Sequence, residues 1–420
     1  MSGSPVVSVS QRQALIAFLL GTLFFGYAFV QRVSPSVMTQ ELMREFAVGG
    51  AALGSLSAFY FYAYASIQLP VGMLTDRFGP RNLMSFAALL CTAATIGFAW
   101  SDSLLMASIG RAFIGATVAF AFVGTLAIAG YWFKASQYAL LAGVLQSVGM
   151  FGAIFGQAPL RQLVEVAGWR GTMYLLAALA FLLAVLVFVM VPMRSSAQKS
   201  KRSSTGVMQG LRSVSTNLQT WICAVIGFGM AAMMLGFGGL WGVPWLASGH
   251  GYTTTEAAAV VSMIFFGWAV FSPVSGWLSD RIGKRNPIVI WGALLSLLSF
   301  AMVVYWTPEN TALLMILIFL TGIGGSAMTI TFGSVKELND PDFSSTALGL
   351  MNMCVVGAGA VMQPLIGWML DMRWDGTVMD GARVYSLENY TFAFSSLLVA
   401  NLVALVAVVL LRETHCRPVR

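Results

Sequence analysis

GMLTDRFGPR at residues 72–81 and GWLSDRIGKR at residues 276–285 are two copies of one pattern, Gly-x-x-x-Asp-Arg-x-Gly-x-Arg. They start 204 residues apart (276 minus 72), close to half of the 420-residue chain. One short copy could arise by chance. Two copies at equivalent places mark an internal duplication, and composition says what is duplicated. The chain is 58% hydrophobic and only 9% charged, with mean hydropathy +0.80, whereas a soluble domain carries about 25% charged residues. An ordinary soluble protein is excluded, and the length is better counted in bilayer spans of about 20 apolar residues.

Apolar runs between polar breaks give twelve expected spans, near 13–38, 50–72, 82–100, 103–131, 138–160, 172–193, 219–246, 257–278, 287–306, 311–333, 344–370 and 391–411. An even number puts both termini on one side. Of the 23 basic residues, sixteen fall on that side and five, Arg44, Arg161, Arg170, Arg373 and Arg383, on the other. This bias predicts cytoplasmic termini. The net charge of +7 is then a topology signal, and nucleic acid is not an expected partner. The basic, serine-rich stretch RSSAQKSKRSS at 194–204 cannot bury a core. It divides the chain into an N-terminal six-helix bundle (1–193), a flexible cytoplasmic linker (194–218) and a C-terminal six-helix bundle (219–420). The cysteines Cys91, Cys223, Cys354 and Cys416 have neither disulfide nor metal spacing. The polar N-terminus has no small-residue cleavage site after an apolar stretch, so the first run is expected to be a retained span.

The repeated loop has unusual electrostatics. Asp76 and Asp280 sit near helix C-termini, where the macrodipole disfavours an anion. Arg77 with Arg81, and Arg281 with Arg285, can compensate. Gly72 and Gly276 would admit a neighbouring helix, and Gly79 and Gly283 a tight turn. Arginines merely anchoring topology are one reading. A charge cluster made and broken as two bundles rock is the sharper one.

Two six-span halves, a basic central linker and both loop motifs resemble the major facilitator superfamily of secondary transporters. Arg111 and Gly115 in GRAFIGAT resemble that family's span-4 arginine motif, and Gly168-Trp169-Arg170 its turn before span 6. The resemblance implies an all-α fold of twelve transmembrane helices in two pseudo-symmetric bundles. It also implies a substrate site between the halves near mid-membrane, and alternating access.

An ionisable residue inside a span is a functional candidate because its burial is costly. Only Arg32 and Arg111 qualify, and all 16 acids fall in loops or at helix ends. For Arg32 three readings compete: hydrogen bonding to backbone carbonyls or to Gln31, snorkelling to the interface, and gripping an anionic substrate group. The subfamilies for organic phosphates and organic anions carry a comparable span-1 arginine that binds substrate. The organic-phosphate pattern adds an arginine in span 7 that 219–246 lacks, which argues against a phosphate ester. Arg111 reads as a brace between spans 1 and 4 or as a second substrate or proton contact. Ser57, Tyr60, Tyr64 and Gln68 recur at helical spacing and form one stripe. With Tyr27, Gln31, Gln146, Trp241, Trp245, Asn352 and Gln363 they suggest a cavity lined by polar and aromatic groups, although each taken singly also suits interhelical bonding or an aromatic belt.

The leading expectation is therefore a multi-pass bacterial inner-membrane transporter for a small organic anion or carboxylate-bearing zwitterion, active as a monomer and without cofactor or metal. A co-transported or exchanged ion stays open, since neither span-borne acid nor histidine presents itself as a proton carrier. Efflux of amphipathic drugs and amino-acid or dipeptide uniport are alternatives. An enzyme lacks a nucleophile, base or metal constellation, and a non-transporting sensor has no appended soluble domain to support it. Asp76→Asn is expected to impair turnover more than substrate binding, and lost affinity with normal turnover would contradict the hinge role.

Overall fold

The computed structural model describes residues 10–193 and 205–417. In chain order the helices are α1 (Gln11–Val33), α2 (Thr39–Phe46), α3 (Gly50–Phe78), α4 (Pro80–Ala99), α5 (Leu104–Trp132), α6 (Ala135–Phe155), α7 (Ala158–Met190), α8 (Thr205–Thr216), α9 (Leu218–Ala232), α10 (Gly242–Gly249), α11 (Thr254–Val261), α12 (Met263–Ile282), α13 (Asn286–Tyr305), α14 (Thr311–Ser326), α15 (Ile330–Glu337), α16 (Ser344–Met372) and α17 (Leu387–Leu410). An antiparallel hairpin, Val378–Met379 with Ala382–Arg383, interrupts an otherwise helical chain.

Helices dominate because lipid offers no hydrogen bonds, so each span must satisfy its own backbone. Local sequence sets the starts. Ser10 and Gln13 form a capping box, and Ser103, Asn217, Thr253, Asn310 and Ser386 each accept from a backbone N–H of the first turn. Ten of the twelve expected spans are long and apolar enough to cross a bilayer alone. Span 2 is α3, bent 111° from the short α2, and span 5 is α6, with a shorter apolar run at Leu140–Phe155. Exposed apolar rows such as Leu15, Leu19 and Leu23 on α1 and Leu175, Leu179, Leu182 and Phe188 on α7 are the lipid-facing surface.

The two halves repeat one packing scheme. In the first, α3 and α4 pack on α5, α4 on α7, and α1 on α6; in the second, α12 and α13 pack on α14, α13 on α17, and α9 on α16. Each contact recurs six spans later. The halves meet chiefly where α3 runs along α16 and α6 along α12. We call the side bearing the termini the linker face and the opposite side the distal face.

Four sequence expectations are corrected. Span 1 does not run as one helix to 38, because Pro35 begins a 3-10 turn over Ser34–Val37. Of the expected flexible linker, 194–218, residues 194–204 lie outside the described residues, and within the rest Thr205–Thr216 is helical and packs against the start of α16, with Gly210 beside Phe343. Span 7 is not a regular α-helix, since Met233–Trp241 winds as a π-helix between α9 and α10. Three glycines at 236, 238 and 239 leave few side-chain constraints to hold the tighter winding. Finally, the break before span 6 is a single residue. Gly168 (φ 69°, ψ 167°) kinks α7.

That φ belongs to glycine, although a Cβ there would meet nothing within 4 Å. Gly168→Ala is expected to cost about 1–3 kcal/mol from backbone strain alone. Thermal unfolding in detergent should register it while uptake by the surviving fraction is unchanged.

Candidate functional site

Arg32 lies in the last turn of α1. It is 6% exposed, which rules out snorkelling in this conformation. Its guanidinium carbon sits 4.2 Å from the ring centroid of Phe29, 5.2 Å from Tyr64, 5.7 Å from Tyr60 and 6.0 Å from Phe61. Aromatic faces carry partial negative charge and stabilise a desolvated cation by about 2 kcal/mol at best. No main-chain carbonyl among the described residues accepts from Arg32, and its Nε has no partner. The rings leave part of its donor capacity unspent.

Tyr60 is shared. Its hydroxyl donates to the Ala28 carbonyl (3.0 Å), and its ring lies 5.1 Å from the guanidinium of Arg111. Arg111 is fully buried. Its Nη1 donates to the Gln31 carbonyl (2.8 Å), while Nε and Nη2 have no partner. So α5 grips the backbone of α1 one residue before Arg32, and both arginines approach one tyrosine with no acid between them among the described residues. Tyr60 and Tyr64 stack at 6.1 Å, as their four-residue spacing predicts.

The other candidates divide into separate groups. Gln31 donates to the Tyr27 hydroxyl (2.5 Å) and to Thr95 on α4 (3.3 Å), within the N-terminal half. Trp241 donates to the Gln363 carbonyl (2.9 Å), and Gln363 Nε2 to the Leu235 carbonyl (2.8 Å). Trp245 packs with Phe237, Phe394 and His250. Ser57 is buried and Gln68 half-buried, each with a polar atom lacking a partner. Gln146 and Asn352 are half-buried.

Sequence reasoning missed Phe29, three residues before Arg32, and Phe61, beside the stripe; helical spacing could have found both. It also missed Gln157. This fully buried amide donates across the halves to the Gly238 carbonyl (3.0 Å) in the π segment, and its Oε1 accepts from Ser36 (3.4 Å). No periodicity announces a bond between distant helices.

The repeated loops differ in detail. Gly79 (φ 80°, ψ 154°) and Gly283 (φ 71°, ψ 25°) make the expected tight turns, both at positive φ. Gly72 and Asp76 fall on α3, but their side-chain surroundings lie outside the described residues. Arg77 is exposed against Phe78. Arg81 donates to the Phe188 carbonyl at the end of α7 (2.7 Å). A Cβ on Gly276 would meet nothing within 4 Å, so the expected close approach of a neighbour there is absent in this conformation. The reason is that the halves draw together at the distal face instead.

The second motif carries a dense cluster inside one half. Arg285 pairs with Asp280 (2.7 Å) and with Glu337 at the end of α15 (2.6 Å), while Arg281 lies over Trp277 (5.2 Å). Burial disfavours the Arg285 charge, but Glu337 and Asp280 outweigh it and raise its pKa. The chain's tail joins in. Glu413 accepts from the backbone N–H groups of Arg285 (2.8 Å) and Asn286 (2.9 Å), capping α13, and Thr414 bonds to Glu337 (2.5 Å). Partial burial pushes the Glu413 carboxyl up, yet bonds from the backbone of Arg285, Asn286, His415 and Thr414 leave it below the usual range. The distal face is charge-paired as well: Arg161 with Glu41 (2.6 Å), Arg170 with Glu45 (2.8 Å) and Arg383 with Asp371 (3.2 Å).

Residues 18–258 and 226–419 match the sequence pattern of the Major Facilitator Superfamily. The chain belongs to that superfamily. Among similar proteins is the "Probable sulfoacetate transporter" of Cupriavidus necator, 22% identical over 86% of this chain and 89% of that one. Another is the "Probable nitrate/nitrite antiporter" of Thermus thermophilus, 23% identical over 85% of each chain. The solved structure of a bacterial homologue of the human lysosomal transporter Spinster shares the fold, with TM-score 0.73 at 16% identity, covering 96% of this chain and 95% of that one. The protein is thus a multi-pass membrane transporter, not an enzyme.

The tail cluster yields a prediction. A carboxyl with a lowered folded pKa contributes stability above its ordinary range and loses it as pH falls through the lowered value. Tail docking should therefore be complete at neutral pH and loosen only in acid. Glu413→Gln should loosen it at neutral pH, giving about fivefold faster hydrogen exchange at Asn286 for a loss near 1 kcal/mol. Unchanged protection would refute the cap.

Proposed function

We propose that the protein carries a small organic anion, or a zwitterion presenting a carboxylate, by alternating access, with Arg32 binding the anionic group. One observation carries the reading. Arg32 is buried under four aromatic rings, without an acid among the described residues and with donor capacity left over. A desolvated guanidinium in that state is poised for bidentate bonding to a carboxylate or similar oxyanion. The anions named for the two bacterial transporters above support the same class.

Tyr60 and Tyr64 are the walls of this site in our reading, and Arg111 holds α1 so that Arg32 keeps its place. We also count Trp241 and Gln363 of the second half, with Gln68, Gln146 and Asn352, among the substrate contacts. A site so charged repels lipophilic cations, which disfavours the drug-efflux alternative. The positive charge bias puts the linker face, and both termini, in the cytoplasm. The bacterial relatives suggest an inner membrane. The repeated loops act as hinges on the linker face, with 1–193 and 219–420 as the moving bodies.

Arg32→Gln should abolish anion uptake into proteoliposomes, at least a hundredfold if an ion-paired contact of about 3 kcal/mol is lost. The variant should keep wild-type retention on gel filtration. Arg32→Lys should recover part of the rate, because a point charge replaces the fork. Undiminished uptake in Arg32→Gln would reject the assignment. Lys equal to Gln would reject the charge as the reason.

A further inference from the structure

The start of α3 has no cap of its own. Its N-cap position is Gly49, which offers no side chain to the first-turn N–H groups. The cap comes from the other half of the molecule. Asp371, near the end of α16, accepts from the backbone N–H of Gly50 through Oδ1 (3.0 Å) and of Ala51 through Oδ2 (2.9 Å). Two groups from its own half hold the carboxylate: the Tyr385 hydroxyl donates to Oδ1 (2.6 Å), and Arg383 Nη1 lies at 3.2 Å. Tyr385 also accepts from Gly50 N–H (2.7 Å).

The approach is as close as backbones allow. A Cβ on Gly50 would come 2.8 Å from the Gly367 carbonyl, and one on Gly49 would come 2.6 Å from the Asp371 carboxylate. Two further bonds between the halves, Gln157 to Gly238 and Thr255 to Glu165 (2.9 Å), lie on the same distal side. We propose that Asp371 is the latch of the distal gate, a carboxylate on one half that caps α3 of the other only while the distal side is closed.

The asymmetry of its bonds gives the latch its direction. When the halves part distally, Arg383 and Tyr385 travel with Asp371, so the carboxylate keeps partners, and water takes the Gly50 and Ala51 donors. What is lost is the helix cap and its interaction with the macrodipole. Such a loss biases an equilibrium without locking it, as a carrier that must cycle requires. The inference rests on alternating access and is independent of which anion is carried.

Its test uses the full chain in nanodiscs, with Cys354 and Cys416 replaced by serine. Spin labels go at Val166 and Glu309, both exposed on the distal face of opposite halves. Pulsed dipolar spectroscopy reads the ratio of long to short distances. Asp371→Asn leaves one oxygen acceptor where two served. Ala51→Pro removes one donor at a first-turn position that tolerates proline, leaving the second half untouched. Each should raise the long-distance fraction about three- to tenfold, and the double variant should go no further. Asp375→Asn, on an exposed acid that bonds only to Thr377, should leave the ratio unchanged.

An unchanged ratio in Ala51→Pro would overturn the latch. So would fully additive effects in the double variant, or an Asp371→Asn effect confined to thermal stability. If Asp371→Asn does not fold, Ala51→Pro decides the matter by itself.

Discussion

A guanidinium in a bilayer interior with no carboxylate beside it must be held by dipoles and rings, and the N-terminal half is arranged around that need. Tyr60 stands between two such groups. Its hydroxyl ties α3 to the Ala28 carbonyl of α1, and its face lies towards both Arg32 and Arg111. Arg111 in turn ties α5 to the Gln31 carbonyl. Three helices are thereby fixed within one turn of Arg32. A cation–π contact stabilises less than an ion pair at the same depth. The Arg32 guanidinium is consequently left under-compensated.

The second half solves a different problem. Its π segment frees carbonyls that a regular helix would consume, and lipid cannot satisfy them. Glutamines do so: Gln363 from the same half takes Leu235, and Gln157 from the other half takes Gly238. One of these bonds survives any rigid-body motion of the halves and the other does not. Together with Asp371 over the start of α3, the distal closure is built from backbone groups and a few side chains of opposite bundles.

The linker face shows how a duplicated sequence diverges once it is folded. Arg81 and Arg285 hold the same place in the repeat, yet Arg81 finds a helix-end carbonyl and Arg285 finds Asp280, Glu337 and the neighbourhood of Glu413. The second cluster lies within one bundle. Its acids neutralise a loop arginine and cap α13, so it ties that loop to α15 and the tail. Charge compensation at Asp280 was readable from the motif, whereas the contribution of the tail was not. Residues 280 and 413 are joined only because α17 returns to the linker face.

Hydropathy, charge bias and the repeat by themselves determined the membrane location of the chain, its division into two halves of six spans and the solitary character of Arg32. Those properties follow from composition and short-range periodicity, because a span must be apolar along its whole length and a stripe must recur every three or four residues. Helical spacing also joined Tyr60 to Tyr64. Only the tertiary structure decided that Arg111 shares Tyr60 with Arg32, that Gln157 reaches the π segment, and that Asp371 caps a helix some 320 residues away in the chain. Each of those is a bond between helices whose meeting depends on how whole bundles pack. Their energies are single hydrogen bonds or ring contacts, too small and too local to leave a periodic trace in the sequence.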